Sequence, residues 1–168
     1  MSIQIYTDGA CLGNPGPGGY GIIIQAGDKR LEFSQGYRET TNNRMELKAC
    51  IVALEEIRVR GYAPRSVQLH TDSKYVQQGI TDWINKWRQN SFFLNSSKTK
   101  PVKNRDLWQE LDELNSKLQV GWHWVKGHAG HPLNERADFL AFSAAEGENL
   151  LEDEGYGKLE GAEQIGMF

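Results

Sequence analysis

Two short segments place an aspartate where a strand-like apolar run ends. IYTDGA covers residues 5–10 and LHTDSK covers residues 69–74. In each segment an apolar residue is followed two positions later by Thr-Asp and then by a small residue. The two aspartates are Asp8 and Asp72, and their shared setting predicts that the two strand ends deliver carboxylates to one site.

Two further acids lie on helix faces that are otherwise small or apolar. The residues three, four and seven positions after Glu46 share its face, and the same spacing applies to Asp138. They are Ala49, Cys50, Ala53, Ala141, Phe142 and Ala145. An ionised carboxylate on a core-facing stripe is costly unless a cation meets it.

Each acid also has an ordinary structural explanation. Asp8 and Asp72 are placed where aspartate commonly caps a turn or a helix. The two helical acids have basic residues nearby in the sequence, namely Arg44, Lys48, Lys126 and Arg136. Four such acids in one domain nevertheless favour a shared role. Oxygen ligands without a Cys/His set suit Mg²⁺ or Mn²⁺, and paired ions about 3.5–4 Å apart serve phosphodiester cleavage.

The formal net charge of −3 conceals two segments of opposite sign. Residues 146–168 hold seven acids and one base, whereas residues 1–145 carry a net charge of +3. Residues 83–105 contain no acid and six bases, namely Lys86, Arg88, Lys98, Lys100, Lys103 and Arg105. A basic segment of this kind indicates a polyanionic partner. Together with the four acids it predicts a metal-dependent nuclease.

The order of the sequence patterns predicts one mixed α/β domain. Alternating or apolar runs indicate five strands, at residues 2–7, 19–27, 30–38, 66–71 and 120–127. Helical patterns cover residues 43–60, 73–79, 81–89, 103–118 and 132–147. Three strands in succession exclude a pure βαβ series. The predicted organisation is a folded domain over residues 1–146 and a mobile, acidic tail over residues 147–168.

The composition restricts the class of protein. At 168 residues the chain is long enough for one domain with its own core. It has no apolar run of membrane-spanning length and no signal-peptide pattern. Cys11 and Cys50 do not make a disulfide framework. We therefore expect a cytoplasmic protein without a membrane partner.

Three other patterns have competing interpretations. GPGGYG, residues 16–21, matches G-x-G-x-x-G but leads into a strand, which favours a tight loop over a dinucleotide site. His128 lies in a glycine-flanked loop before the helix that carries Asp138, so it is either a proton-transfer group or a surface histidine. Trp83 and Trp87 share a helix face. Packing is favoured for most aromatic residues of that segment, and Trp83 stays open between packing and stacking on a substrate.

Several longer segments resemble type 1 ribonuclease H of the bacterial type. They are TDGACLGNPGPGGYG, TTNNRMELKA, TDSKYV, WINKW with KPVKNRDLW, and WVKGHAGHPLNERAD. The resemblance is collinear from about residue 3 to about residue 145. It implies a ribonuclease H-like fold, in which a five-stranded mixed β-sheet is flanked by α-helices. It also implies endonucleolytic hydrolysis of the RNA strand of RNA–DNA hybrids, which leaves 5′-phosphate and 3′-hydroxyl ends.

The resemblance also implies roles for individual residues. The family's metal-binding acids fall on Asp8, Glu46, Asp72 and Asp138, which would hold Mg²⁺, with Mn²⁺ as a substitute. The loop histidine falls on His128, with a role in proton transfer or product release. The basic segment resembles the family's substrate-binding protrusion. Candidate contacts with the hybrid are Cys11, Asn14, Asn42, Asn43, Trp83, Lys86, Arg88, Lys98, Lys100, Lys103 and Asn104.

The resulting prediction is a monomeric, cytoplasmic hydrolase that needs a divalent metal and takes an RNA–DNA hybrid as its partner. The main alternative is a non-catalytic nucleic-acid-binding module on the same scaffold. A relative that cuts duplex DNA is a third hypothesis. The acidic tail is open between a spacer, a contact for a protein partner and a weak competitor for the basic surface.

Overall fold

The computed structural model describes residues 2–62, 66–126 and 130–157, which form one mixed sheet with helices on both faces. The strands are β1 (Ile3–Cys11), β2 (Gly16–Ala26), β3 (Lys29–Thr40), β4 (Val67–Thr71), β5 (Val120–Trp124) and β6 (Leu150–Leu151). The helices are α1 (Asn42–Val59), α2 (Lys74–Gln78), α3 (Ile84–Gln89), α4 (Arg105–Lys117) and α5 (Pro132–Glu146), and a π-helical turn, Gly79–Trp83, joins α2 to α3. In the described part of the chain, no helix combines the length and the apolar character needed to cross a membrane.

The sheet has the strand order β5-β4-β1-β2-β3-β6, with β1 near its centre. Strand β1 runs antiparallel to β2 and parallel to β4, and β4 runs parallel to β5. The predicted mixed sheet with flanking helices is confirmed. Among the described residues the sheet has six strands instead of the predicted five, because β6 adds two residues parallel to β3. A two-residue strand carries no alternation that a sequence pattern can reveal.

Helix α1 packs directly on the end of β1 and brings Glu46 beside Asp8. Thr41 caps the helix, since its Oγ1 accepts a hydrogen bond from the Arg44 backbone N at 3.3 Å. A Cβ atom added to Gly9 would lie 2.5 Å from the Glu46 backbone N. Only glycine permits this approach, so the residue after Asp8 sets the distance between the strand end and the helix.

We expect Gly9→Ala to be destabilising and to displace Glu46 from Asp8. Overpacking of this kind typically costs about 1–3 kcal/mol, and here the clash falls on helix backbone, which cannot rotate away. The measurement is the free energy of unfolding in urea, together with the Mg²⁺ concentration at which half of the Mg²⁺-induced stabilisation is reached. Gly147→Ala is the matched control, because an added Cβ there meets nothing closer than 3.4 Å. Equal behaviour of the two variants would contradict the close approach.

Helix α5 covers the opposite face of the sheet over β1, β2 and β3. A Cβ atom added to Gly21 on β2 would lie 2.8 Å from the Ala141 backbone N, so the helix backbone rests on the strand. Ala137, Ala141 and Ala145 form the buried stripe of the helix. This packing carries Asp138, one residue beyond Ala137, to the edge of the sheet where β1 and β4 end.

The C-terminal segment differs from the predicted mobile tail over residues 150–157. Leu150 and Leu151 pair with Gly36 and Tyr37 of β3. Asp153 is 5% exposed and binds Arg44 of α1. The physical reason is that Arg44 is buried and needs carboxylate partners, which composition alone does not reveal. Residues 158–168 lie outside the described residues, so the remainder of the predicted tail stays a prediction.

Candidate active site

A polar cleft of about 390 Å³ opens where the pairing between β1 and β4 stops. Its walls come from the second half of β1, the first turns of α1 and α2, and the middle of α5. The lining residues are Asp8, Gly9, Asn42, Asn43, Glu46, Asp72, Ser73, Lys74, Tyr75 and Asp138. The cleft therefore contains all four acids that the sequence analysis singled out.

Three of the four carboxylates are close enough to share one cation. Asp8, Glu46 and Asp72 each offer an oxygen, and these atoms lie within 4.8 Å of one another. The parallel pairing of β1 with β4 stops at Thr7 opposite Thr71, so the aspartate that follows each threonine reaches the same space, and Asp138 faces that space from α5. The predicted end of the first strand at residue 7 is wrong, because β2 supplies backbone partners that continue β1 to Cys11.

The surroundings of Asp8 disfavour the ionised form of its carboxyl group. Asp8 is 4% exposed, and burial, followed by the charges of Asp72 and Asp138, raises its pKa to about 9. A hydrogen bond from the Gly9 backbone N to Asp8 Oδ1, at 2.9 Å, opposes this rise only in part. Without a cation, the site thus retains a proton at neutral pH.

One oxygen of Glu46 lacks the hydrogen-bond partner that a buried carboxylate oxygen normally has. Glu46 is 5% exposed, and its Oε1 atom has no hydrogen-bond partner among the described residues. Burial, together with the charges of Asp8 and Asp72, raises its pKa well above the ordinary value. An orphaned buried oxygen beside two other carboxylates fits a hard divalent cation, which takes oxygen ligands at short distance.

The ordinary explanations for the helical acids are weakened by where their basic neighbours lie. Arg44 binds Asp153 and Asp106. Lys48 lies over the ring of Tyr37, at 4.5 Å from its centroid. Arg136 binds both carboxylate oxygens of Glu32 at 3.0 and 2.9 Å. Three of the four bases that could have paired with Glu46 or Asp138 thus serve other partners.

Four predicted substrate contacts lie around the start of α1. Asn42 and Asn43 line the cleft. Asn14 accepts a hydrogen bond from the Asn42 backbone N at 3.0 Å, so it fixes the helix start. Cys11 is half-buried, and its Sγ donates weakly to the carbonyls of Gly16 and Thr40, both at 3.5 Å.

The predicted basic segment is only partly free to meet a polyanion. Lys86, Lys98, Lys100 and Lys103 are exposed. Arg88, by contrast, donates its Nε to Asp112 at 2.8 Å. Trp83 is half-buried and its ring packs against Tyr75 and Trp87, with both centroid distances at 5.9 Å.

Asn104, one of the predicted substrate contacts, has a buried side chain instead of an exposed one. Asn104 is 3% exposed and uses its amide inside the protein, where it accepts from Arg44 at 3.3 Å and donates to the Tyr75 hydroxyl at 3.1 Å. This buried position differs from the surface contact that was expected, because the asparagine satisfies a buried arginine. His128 lies outside the described residues, so its role stays a prediction.

Three residues at the cleft have no role assigned from the sequence. Lys74 and Tyr75 line it two and three positions after Asp72. Trp124 on β5 donates its indole N–H to the Asp72 carbonyl at 3.1 Å, and the Lys74 ammonium lies 5.2 Å from the centroid of its ring. The available signal was position: Lys74 and Tyr75 follow a predicted ligand, and Trp124 ends the strand that pairs with β4.

Comparison with known proteins places this geometry in a family context. Residues 1–146 match the family model described as RNase H. A relative named Ribonuclease H from Idiomarina loihiensis is 52% identical over 156 residues, which cover 93% of this chain and 96% of the relative. A second, from Bradyrhizobium diazoefficiens, is 58% identical over 139 residues, which cover 83% of this chain and 86% of the relative.

Solved structures show the same similarity. LC9-RNase H1, described as a type 1 RNase H with the type 2 active-site motif, has a TM-score of 0.73 and 36% identity, with 94% of this chain and 80% of that chain covered. LC11-RNase H1 in complex with RNA/DNA hybrid has a TM-score of 0.61 and 27% identity, with 86% and 96% covered.

Proposed function

Since the chain belongs to the ribonuclease H family, whose members are hydrolases, we propose that it cuts the RNA strand of RNA–DNA hybrids by a mechanism that uses two divalent cations. The proposed cations are Mg²⁺, with Mn²⁺ as a substitute. The proposed products carry 5′-phosphate and 3′-hydroxyl ends.

One observation carries this proposal. Oxygens of Asp8, Glu46 and Asp72 lie within 4.8 Å of one another, and Asp138 lines the same cleft. The carboxyls of Asp8 and Glu46 both have raised pKa values because burial and neighbouring acids oppose their charges. A cluster that costs so much to ionise is best explained by a cation that the residues hold.

The chain's own groups have distinct tasks in the proposed reaction. Bound divalent cations supply Lewis-acid stabilisation and lower the pKa of water, so that it can attack at neutral pH. Asp8 holds the centre of the cleft from β1, and Glu46 and Asp138 close its two sides from α1 and α5. Water attacks the phosphorus atom and the bond to the 3′ oxygen breaks, which yields the proposed ends. His128 is proposed to assist proton transfer or product release.

Substrate selection is proposed to come from the surfaces that flank the acids. Asn42 and Asn43 present amide groups at the cleft wall, where they can reach the minor groove of a hybrid. The ribose 2′-hydroxyl is the group that distinguishes RNA from DNA at such a surface. The exposed lysines of the basic segment add phosphate affinity that does not depend on sequence.

The test is a panel of three duplexes of one sequence, each labelled at one strand end. The purified protein is incubated with Mg²⁺ and an RNA–DNA hybrid, duplex RNA or duplex DNA. We expect cuts only in the RNA strand of the hybrid, with fragments that a 5′-phosphate-dependent exonuclease degrades. Cleavage of duplex DNA at a comparable rate would overturn the proposed substrate class, and binding without cleavage would favour a non-catalytic module.

We expect the triple variant Lys86→Gln, Lys98→Gln, Lys100→Gln to weaken hybrid binding without changing kcat. Each lost phosphate contact makes the slope of log affinity against log salt less steep by roughly 0.7–0.9, so the three together remove roughly two to three units. The measurement is hybrid affinity by anisotropy at several salt concentrations. Lys29→Gln with Lys117→Gln, both remote from the cleft, is the control. An unchanged slope in the triple variant would place the hybrid elsewhere.

A further inference from the structure

A buried arginine lies in the first turn of α1, between the cleft residues Asn43 and Glu46. Arg44 is 1% exposed. A buried guanidinium must find a hydrogen-bond acceptor for each of its five N–H donors, because unsatisfied buried charge is costly. The partners of Arg44 therefore determine how the start of α1 is held.

All five donors of Arg44 have acceptors. Asp153 accepts from Nε at 2.7 Å and from Nη2 at 3.0 Å. Asp106, just inside α4, accepts from Nη1 at 3.0 Å and from Nη2 at 2.8 Å. Asn104 accepts the remaining Nη1 hydrogen bond at 3.3 Å. The C-terminal segment thus supplies two of these five hydrogen bonds. Of the two carboxylates described here as partners of Arg44, only that of Asp153 is fully buried.

Asp153 also ties α1 to the strand that precedes it. Its Oδ2 accepts a hydrogen bond from the Thr40 hydroxyl at 2.7 Å, and Thr40 is the last residue of β3. Burial alone would raise the pKa of Asp153, but the hydrogen bonds from Arg44 and Thr40 hold it below the ordinary value. One carboxylate therefore binds both sides of the turn at Thr41, the residue that caps α1.

The same network reaches the other wall of the cleft. Asn104 donates its side-chain amide to the Tyr75 hydroxyl at 3.1 Å, and Trp108 donates its indole N–H to that hydroxyl at 2.9 Å. Tyr75 lines the cleft three residues after Asp72. A continuous set of buried and half-buried polar contacts thus connects residue 153 with α1 and α2, two of the helices that line the cleft.

We propose that Asp153 is a positioning residue for the cleft, and that the C-terminal segment 150–157 is a built-in brace for the start of α1. This proposal rests on the proposed function, since it concerns the cations and hybrid that the cleft would bind. The segment lies beyond residues 1–146, the part of the chain that the family model matches. It acts through Arg44 and touches neither substrate nor cation.

The expected consequence of losing Asp153 follows from what it leaves behind. In Asp153→Asn, Arg44 would lose its buried counter-charge, and at least one of the two donors that now bind Asp153 would be unpaired because an amide nitrogen cannot accept. The first turn of α1 would shift to expose the guanidinium to water, and Asn43 and Glu46 would move with it. Displaced binding groups would hold the cation and the hybrid less tightly, so the loss of activity would be largest when both are below saturation.

The test compares Asp153→Asn with Asp153→Glu at a temperature at which both variants are folded. For Asp153→Asn we expect the half-saturating Mg²⁺ concentration and the KM for the hybrid to rise roughly tenfold each. We expect kcat at saturating Mg²⁺ and hybrid to change much less, because the groups remain present. Asp153→Glu, which keeps the charge, should recover part of both losses.

A matched control separates positioning from general stability. Leu114→Ala removes buried side-chain volume from α4, two helical turns beyond Asp106, and lowers stability through the cavity that it leaves. We expect it to lower the melting temperature without changing the Mg²⁺ requirement or KM. If Asp153→Asn is not folded in the assay, Thr40→Val removes one of the same hydrogen bonds more gently.

The outcomes are distinct from those that test the proposed function. If the unaltered protein does not cut the hybrid, the proposed function fails. If it cuts the hybrid but Asp153→Asn, or Thr40→Val in its place, matches Leu114→Ala in Mg²⁺ requirement and KM, the positioning role alone is overturned. A raised Mg²⁺ requirement confined to the Asp153 and Thr40 variants supports it.

Discussion

Asp8→Asn is expected to lose cleavage activity by roughly a thousandfold or more, because the proposed cations each supply several kcal/mol of transition-state stabilisation. Asp8 is the ligand on the central strand, and an amide cannot replace the charge that the cations need. The fold is expected to stay intact, since asparagine has nearly the same shape. The measurement is single-turnover cleavage of the hybrid at saturating Mg²⁺.

The same substitution is expected to stabilise the protein when no cation is present. The pKa of Asp8 is about 9 in the folded chain, above the ordinary value of roughly 3.9. The protonated carboxyl of Asp8 therefore contributes its full amount to the free energy of unfolding below the unfolded pKa. This contribution is lost as pH rises through about 9. Asp8→Asn cannot ionise, so its advantage in free energy of unfolding should grow between these two pH values.

Added Mg²⁺ should make the unaltered protein more stable than Asp8→Asn. A cation that binds only the folded protein stabilises it by mass action, and the unaltered chain has the full ligand set. We expect Mg²⁺ to raise the melting temperature of the unaltered protein and to leave Asp8→Asn nearly unchanged. Asp72→Asn should behave like Asp8→Asn in the cleavage assay. Undiminished activity in either variant would contradict a shared site.

Cation binding is expected to be strongly pH-dependent, and this is the second large effect. A metal ligand must be deprotonated, whereas Asp8 has a pKa of about 9 when the cation is absent. For one proton released, the apparent Mg²⁺ affinity should rise about tenfold per pH unit from pH 7 and level off above the pKa of Asp8. Glu46, whose pKa is also raised, can only steepen this dependence.

Calorimetry measures this linkage directly. Mg²⁺ titrations at pH 7.5 in two buffers with different ionisation enthalpies should give different apparent heats, because the buffer takes up the released proton. Asp28→Asn, in the turn between β2 and β3, is the control and should behave like the unaltered protein. Identical heats in the two buffers would mean that no proton leaves the cleft, which contradicts the raised pKa of Asp8.

The sequence predicts the acids of the cleft better than it predicts the contacts that hold α1 in place beside them. Asp8 and Asp72 are recognisable because each follows an apolar, strand-like run and a threonine, although β1 continues past Asp8 to Cys11. Glu46 and Asp138 are recognisable because helical spacing places them on apolar faces. These are local patterns of two and 3.6 residues. The mixed sheet follows from the order of such patterns, and parallel pairing of β1 with β4 then brings the acids together.

The contacts that hold the start of α1 in place join residues that are far apart in the chain. Asp153 and Arg44 are separated by 109 positions, and neither residue stands out locally. Composition indicated a mobile tail at Asp153, because a run of acids and glycines cannot form a core. The buried guanidinium of Arg44 on α1 binds Asp153 and orders this part of the segment. No periodic pattern in the sequence reveals that contact.

The basic segment shows the same limit on a smaller scale. Its charge predicted a nucleic-acid surface, and Lys86, Lys98, Lys100 and Lys103 are indeed exposed. Arg88 and Asn104 belong to the same run, yet one binds Asp112 and the other is buried against Arg44. Residue type cannot separate these two groups, because the difference lies in the partners supplied by α1 and α4.

The most direct measurement is cleavage of an end-labelled RNA–DNA hybrid, first in EDTA and then after Mg²⁺ is added back to the same sample. The four-acid cleft predicts no cuts in EDTA and prompt cuts in the RNA strand once Mg²⁺ exceeds the chelator. Cleavage that continues in EDTA would show that the acids do not work through a cation. No cleavage with either Mg²⁺ or Mn²⁺, despite binding of the hybrid, would contradict the catalytic role of the cleft.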